Sequence, residues 1–168
     1  MVLLAVCGAM LGVGLPALRS FISSVQLTAA TNDLLGGLLL ARSEAARRHM
    51  RVALCTSPDG EACAVAGGWD QGWIVFADEN NNGRRDVGEA VFGRAQPLSG
   101  QLQISGNQPV ARYISYTPLG NTRLASGALQ SGTITFCAAA GTAADARQII
   151  LSADGRPRVA RRPAAVCA

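Results

Sequence analysis

The pattern of apolar and polar positions divides the chain early. Met1 to Leu18 carries no charge and no polar side chain, and no other stretch is apolar throughout. As a helix at ~1.5 Å per residue, such a block is about long enough to cross a hydrocarbon core of ~30 Å. It predicts a membrane-spanning segment. From Ser20 to Arg51 the apolar residues Val25, Leu27, Leu34, Leu35, Leu38, Leu39, Ala41, Ala45 and Ala46 keep a roughly helical period. Asn32, Asp33, Arg42, Ser43, Glu44, Arg47 and Arg48 fill the other side. Both segments read as one continuous helix, with Gly36-Gly37 as a soft point.

After Arg51 the period changes to short β-type runs. The expected strands are Val52–Thr56, Gly72–Ala77, Ala90–Arg94, Leu102–Ser105, Arg112–Tyr116, Gly132–Ala138, Arg147–Ser152 and Arg156–Ala160. Turn signals separate them, among them Pro58-Asp59-Gly60, Asn82-Gly83, Gly106-Asn107 and Asp154-Gly155. No helical pattern lies between the strands, so one antiparallel sheet or a pair of sheets is expected. Asp154-Gly155 reads as a tight hairpin that folds the last strand onto its predecessor. The expected organisation is a membrane half of the helix over 1–18, an amphipathic half over 19–51 and a β-rich head over 52–168.

Composition sharpens this picture at two points. All basic residues are Arg, and the formal net charge of +4 is modest. Its placement is not, because Arg156 to Ala168 holds four Arg and no acid. The cysteines are Cys7, inside the apolar block, and Cys55, Cys63, Cys137 and Cys167 in the head. Cys55 and Cys63 flank a short polar loop, and Cys167 is placed to pin the C-terminus to Cys137. In an oxidising compartment the pairs Cys55–Cys63 and Cys137–Cys167 are expected, against the alternative of free buried thiols. The spacing does not suit a metal site.

Three groups of residues could carry chemistry. Asp78, Asn80, Asn82, Asp86 and Glu89, with Gly83, match the spacing of an EF-hand calcium loop. The flanking segments read as strands rather than helices, and Arg84 and Arg85 dilute the negative charge. A turn held by Asx hydrogen bonds is therefore the favoured reading over calcium. Trp73 and Phe76 flank that loop; core packing is favoured over stacking on bases. The third group is Gly155-Arg156-Pro157-Arg158 with Arg161-Arg162. On a strand, Arg156 and Arg158 share a face about 7 Å apart, and planar guanidinium groups suit phosphate. The competing reading is a solvated basic edge that discourages sheet pairing. His49 has no acid or nucleophile partner in the pattern, and no cofactor or catalytic arrangement stands out. A non-enzymatic protein without cofactors is expected.

A long apolar-then-amphipathic helix followed by a β head resembles type IV pilins and pseudopilins. Within that class, Gly72-Trp73-Ile74-Val75-Phe76-Ala77-Asp78-Glu79-Asn80-Asn81-Asn82-Gly83, continuing to Asp86-Val87-Gly88-Glu89, resembles the GspH/FimT family. The ending Ser152-Ala153-Asp154-Gly155-Arg156-Pro157-Arg158 does so too. The resemblance implies an α+β, pilin-like fold with the helix packed on an antiparallel head. It also implies other major and minor pilins as partners, and an inner-membrane anchor with the head in the periplasm. FimT-like members that bind DNA in natural transformation use the G-R-x-R segment. The resemblance therefore implies DNA contact through Gly155, Arg156, Arg158, Arg161 and Arg162. The alternative is a structural pseudopilin without a ligand. The family's prepilin peptidase site and early glutamate are missing; by the position of Pro16 they would lie just upstream of Met1. The opening block is thus expected to be the remainder of a longer segment.

Overall fold

The computed structural model describes the backbone of residues 2–98, 102–138, 146–163 and 167, and side chains for Leu18 and from Phe21 onward. Helix α1 runs from Val2 to Arg48. The buried positions Leu27, Ala30, Thr31, Leu34, Leu38, Ala41 and Ala45 recur every three or four residues, so one stripe faces the head. Val25 and Leu39, which share the apolar period, stay exposed. The helix stops short of Arg51. Its last residue is followed by His49 with φ of 55°, a left-handed residue of the kind that closes helix C-termini. Arg47 and Arg48 in the last turn complement the helix dipole. Both also donate to the Glu44 carboxylate, at 2.5 and 2.6 Å. The Arg48 guanidinium lies 4.3 Å from the centre of the Phe92 ring, which ties the helix end to the head.

Among the described residues, no helix is long and apolar enough to cross a membrane. The expected membrane segment, Met1–Leu18, falls almost entirely outside the described side chains.

The head contains β1 (Val52–Thr56), β2 (Trp73–Ala77), β3 (Val91–Ala95), β4 (Leu102–Gly106), β5 (Tyr113–Tyr116), β6 (Gly132–Ala138), β7 (Ala146–Leu151) and β8 (Pro157–Arg162). Each expected strand is present, β1 and β6 with the expected ends and the others with ends shifted by a residue or two; the last begins at Pro157, so Arg156, expected within it beside Arg158, lies in the preceding turn. A short 3-10 turn, Trp69–Gln71, was not expected. All pairings are antiparallel, in two four-stranded sheets ordered β3-β2-β1-β5 and β4-β6-β7-β8. Both sheets pack one face against α1. That main core gathers Leu34 and Leu38 of the helix with Leu54, Val75, Ile114, Ile134, Phe136 and Ile149.

The first sheet is buried on its other face as well. Ala53, Cys55, Ile74 and Phe76 form a second, smaller core there with Cys63 and Tyr113 packed on it. This two-sided burial explains why β1 and β2 read as unbroken apolar runs. The far face of the second sheet is more exposed, and β4 alternates accordingly, although Cys137 and Ala146 are buried on that face. Both expected disulfides are formed: Cys55–Cys63 with Cα atoms 5.5 Å apart, and Cys137–Cys167 with Cα atoms 5.7 Å apart.

Candidate nucleic-acid interface

β8 is the outer strand of its sheet, and among the described residues no strand pairs with its outer edge. Pro157 opens it, in register with Leu151, a position that tolerates the missing N–H. The register continues with Val159 opposite Ile149 and Arg161 opposite Arg147. Ile149 and Leu151 belong to the main core, so Pro157, Val159 and Arg161 lie on the helix side of the sheet. Arg158 and Arg162 alternate onto the open face. The basic cluster is therefore split: Arg158 and Arg162 share a face, and Arg161 points the other way.

Arg156 precedes the strand. Its guanidinium Nε lies 3.6 Å from Asp154 Oδ2, an exposed pair of little energetic weight. The turn itself is firm. Ser152 Oγ donates to Asp154 Oδ1 and the Gly155 N–H donates to the Ser152 carbonyl at 2.9 Å. The Ser152 hydroxyl holds the Asp154 carboxyl below its usual range, helped by the Arg156 amide and charge. Gly155 has φ of 77°, which disfavours any residue with a Cβ.

Arg156, Arg158, Arg161 and Arg162 are all exposed. Arg158, Arg161 and Arg162 form no ion pair among the described residues. Arg162 Nε donates to Gln148 Oε1 at 3.2 Å, and Gln148 Nε2 donates to Thr135 Oγ1 at 3.1 Å. This chain of side chains crosses the open face and orients Arg162 toward solvent. Gln148 and Thr135 were not singled out from the sequence. Their relation to Arg162 depends on strand register and has no local signal.

The Asp78–Glu89 loop has a different job. Asp78 Oδ1 accepts the Asn82 N–H at 2.9 Å, and Oδ2 accepts the Gly83 N–H at 3.1 Å. Glu89 accepts the amides of Glu79 at 2.9 Å and Asp86 at 2.8 Å. Asp86 Oδ2 accepts the side-chain amides of Asn80 and Asn82, both at 2.7 Å. The oxygens of the calcium-like pattern are thus used to tie the loop to itself. Burial pushes the Asp78 carboxyl above its usual range, opposed by the Gly83 and Asn82 amides. Among the described residues, no three His, Cys, Asp or Glu side chains gather as a metal site. Phe76 is fully buried, and Trp73 is half-buried against the helix at Gly37.

A long helix laid across two antiparallel sheets, ending in an exposed basic edge strand, defines a type IV pilin-like subunit. The family described as type II transport protein GspH matches residues 30–155, and the chain belongs to that family. The match ends at Gly155, before the arginines of β8. Among solved structures, the chain is similar to the type IV minor pilin FimU of Pseudomonas aeruginosa. In one crystal form the TM-score is 0.58 at 18% identity, covering 86% of this chain and 94% of that one. In a second form the TM-score is 0.55 at 17% identity, covering 82% and 94%. The minor pseudopilin EpsH of the Vibrio cholerae type 2 secretion system follows, with TM-score 0.47 and 13% identity over 80% and 94%. No curated protein matches the sequence. The chain is thus a GspH-family protein with a type IV pilin-like fold.

Proposed function

We propose that the chain is a minor pilin that binds DNA through its β8 edge and supports DNA uptake in natural transformation. The α1 helix anchors it in the inner membrane with the head in the periplasm, and it joins a surface pilus with other pilins. One observation carries the DNA reading: an exposed edge strand presents Arg158, Arg161 and Arg162 with no ion-pair partner among the described residues, and Arg156 stands at its entry. Guanidinium groups aligned along a strand neutralise successive phosphates without reading bases. Binding should be sequence-tolerant and strongly salt-dependent. The experiment is a mobility shift with the purified chain in detergent, at low and high salt. Arg156→Ala with Arg158→Ala should weaken the shift on every DNA sequence tried; an unchanged shift overturns the site.

A second reading is a structural subunit that primes a pilus or a secretion pseudopilus, with β8 as a contact to other pilins. Loss of filaments in the β8 variants, with DNA binding intact, would support it.

A further inference from the structure

A cleft of about 440 Å³ opens on the side of the first sheet that faces away from the helix. Three loops wall it, and each is fixed by its own bonds. The loop from Ser57 to Val65 is closed by the Cys55–Cys63 disulfide. Within it, Asp59 Oδ1 accepts Ser57 Oγ at 3.0 Å and the amides of Glu61 and Ala62 at 2.8 and 2.9 Å. The second wall is the Asp78–Glu89 loop with its carboxylate ties. The third runs into β5 and is joined to the first by Arg112 Nη1, which donates to the Val65 carbonyl. Walls set in advance lower the ordering cost of binding. The volume lies in the range of about 300–1,000 Å³ typical of ligand sites.

The cleft is basic. Arg84, Arg85 and Arg112 line it, against Asp86 as the one acid of the lining. Arg85 spends Nε on the Glu89 carbonyl at 3.3 Å and Nη1 on the Glu61 carbonyl at 2.9 Å. The Arg84 guanidinium makes no hydrogen bond with the described residues, and Arg112 has donors left beyond Nη1. None of the three forms an ion pair among the described residues. The rest of the lining includes Val65, Pro109, Ala111 and the Tyr113 ring.

We propose that this cleft takes a carboxylate-bearing peptide segment of another protein. Its acidic groups sit on Arg84 and Arg112, and a small apolar side chain sits against Pro109 and Tyr113. The guanidinium fork fits a carboxylate at two oxygens. A concave recess that sets Val65, Pro109, Ala111 and Tyr113 beside its arginines suits a peptide better than a nucleic-acid backbone, which is convex and offers no apolar side chain to those residues. The site is on a different sheet from β8 and does not depend on DNA binding there.

The test titrates the full chain into a fluorescein-labelled Glu-Ala-Glu-Ala peptide and its Gln-Ala-Gln-Ala counterpart, read by anisotropy. The acidic peptide should bind roughly tenfold more tightly. Arg84→Gln with Arg112→Gln should abolish that preference and leave the DNA shift unchanged. Arg84→Gln alone, at a guanidinium with no hydrogen bond or ion pair among the described residues, should remove part of it without changing the melting temperature. Equal binding of the two peptides, or a preference that survives the paired substitution, overturns the proposal. A loss of DNA affinity as large as the loss of peptide affinity also overturns it, in favour of a nucleic-acid cleft.

Discussion

Gly155 lies so close to the backbone carbonyl of Gly120 that a Cβ on Gly155 would overlap its oxygen. The turn that delivers Arg156 to β8 is thereby pressed onto the loop that follows β5. The position demands glycine twice over, for this contact and for its φ of 77°. Gly155→Ala should cost about 1–2 kcal/mol from backbone strain alone, and more from the overlap. The melting temperature should drop by at least about 3 °C. DNA binding should weaken although no charge is lost. Calorimetry and the mobility shift on the same sample check both; a variant that melts like the parent shows that the turn and the Gly120 loop do not touch.

The two central glycines of α1 should respond with opposite signs. Gly36 has open space where a Cβ would go, so Gly36→Ala should stabilise the protein by about 0.5–1 kcal/mol through helix propensity. A Cβ on Gly37 would sit 2.6 Å from the Trp73 indole, so Gly37→Ala should destabilise despite the same propensity gain. Gly37 is the notch that admits Trp73 against the helix. Urea denaturation of both variants decides the matter, and equal shifts of the same sign would refute the notch.

The split of the basic cluster between two faces of β8 predicts unequal roles. Arg158→Ala with Arg162→Ala removes two contacts from the open face. The slope of log affinity against log salt should fall by about 1.8, at ~0.9 per phosphate contact. Arg161→Ala, on the helix side opposite Arg147, should change the slope by less than either open-face substitution. If Arg161→Ala has the larger effect, DNA approaches β8 from the helix side.

The acid limb of stability should depend on Asp59. Hydrogen bonds from the Ala62 and Glu61 amides and the Ser57 hydroxyl bring its carboxyl down to about 2. A group with a depressed folded pKa adds stability above its unfolded pKa, and that contribution fades as pH falls through the folded value. The contribution of Asp59 should therefore be full near pH 5 and fade between about pH 4 and pH 2. Glu44, held low first by the hydrogen bond from Arg48, acts in the same direction. Asp78 acts against them. Its raised carboxyl favours the folded state as it protonates, and that contribution is lost as pH rises through its folded pKa. Denaturant titrations of Asp59→Asn and the parent across this range should show a shallower acid limb in the variant. A limb of equal slope would place the acid sensitivity elsewhere.

Much of this protein follows from local pattern. The helical period, the strand runs and their turn residues depend on neighbours a few positions away, and so are written in the chain order. The Asp154-Gly155 hairpin and the Cys55–Cys63 bridge were legible for the same reason, because both close short loops; the Cys137–Cys167 bridge, 30 residues apart, was legible from the even number of cysteines in the head. The helix end was less legible, because it depends on one left-handed residue, His49, where the apolar pattern still continues. Division of the strands into two sheets was decided only by tertiary structure, since β1 and β2 are apolar on both faces and carry no mark of which side meets the helix. The same holds for the candidate sites. The four arginines of the C-terminal segment were visible as charge. Their division between faces required the register of β8 on β7, and the support from Gly120 and Gln148 required contacts across distant strands. The calcium-like spacing marks carboxylates that in the fold accept the loop's own amides, an arrangement of the kind the Asx-turn reading expected. The basic cleft had no sequence signal, because the Arg84-Arg85 pair and Arg112 come from separate loops. Side-chain period and turn chemistry are set over a few residues, whereas a surface is set by which segments the core brings together.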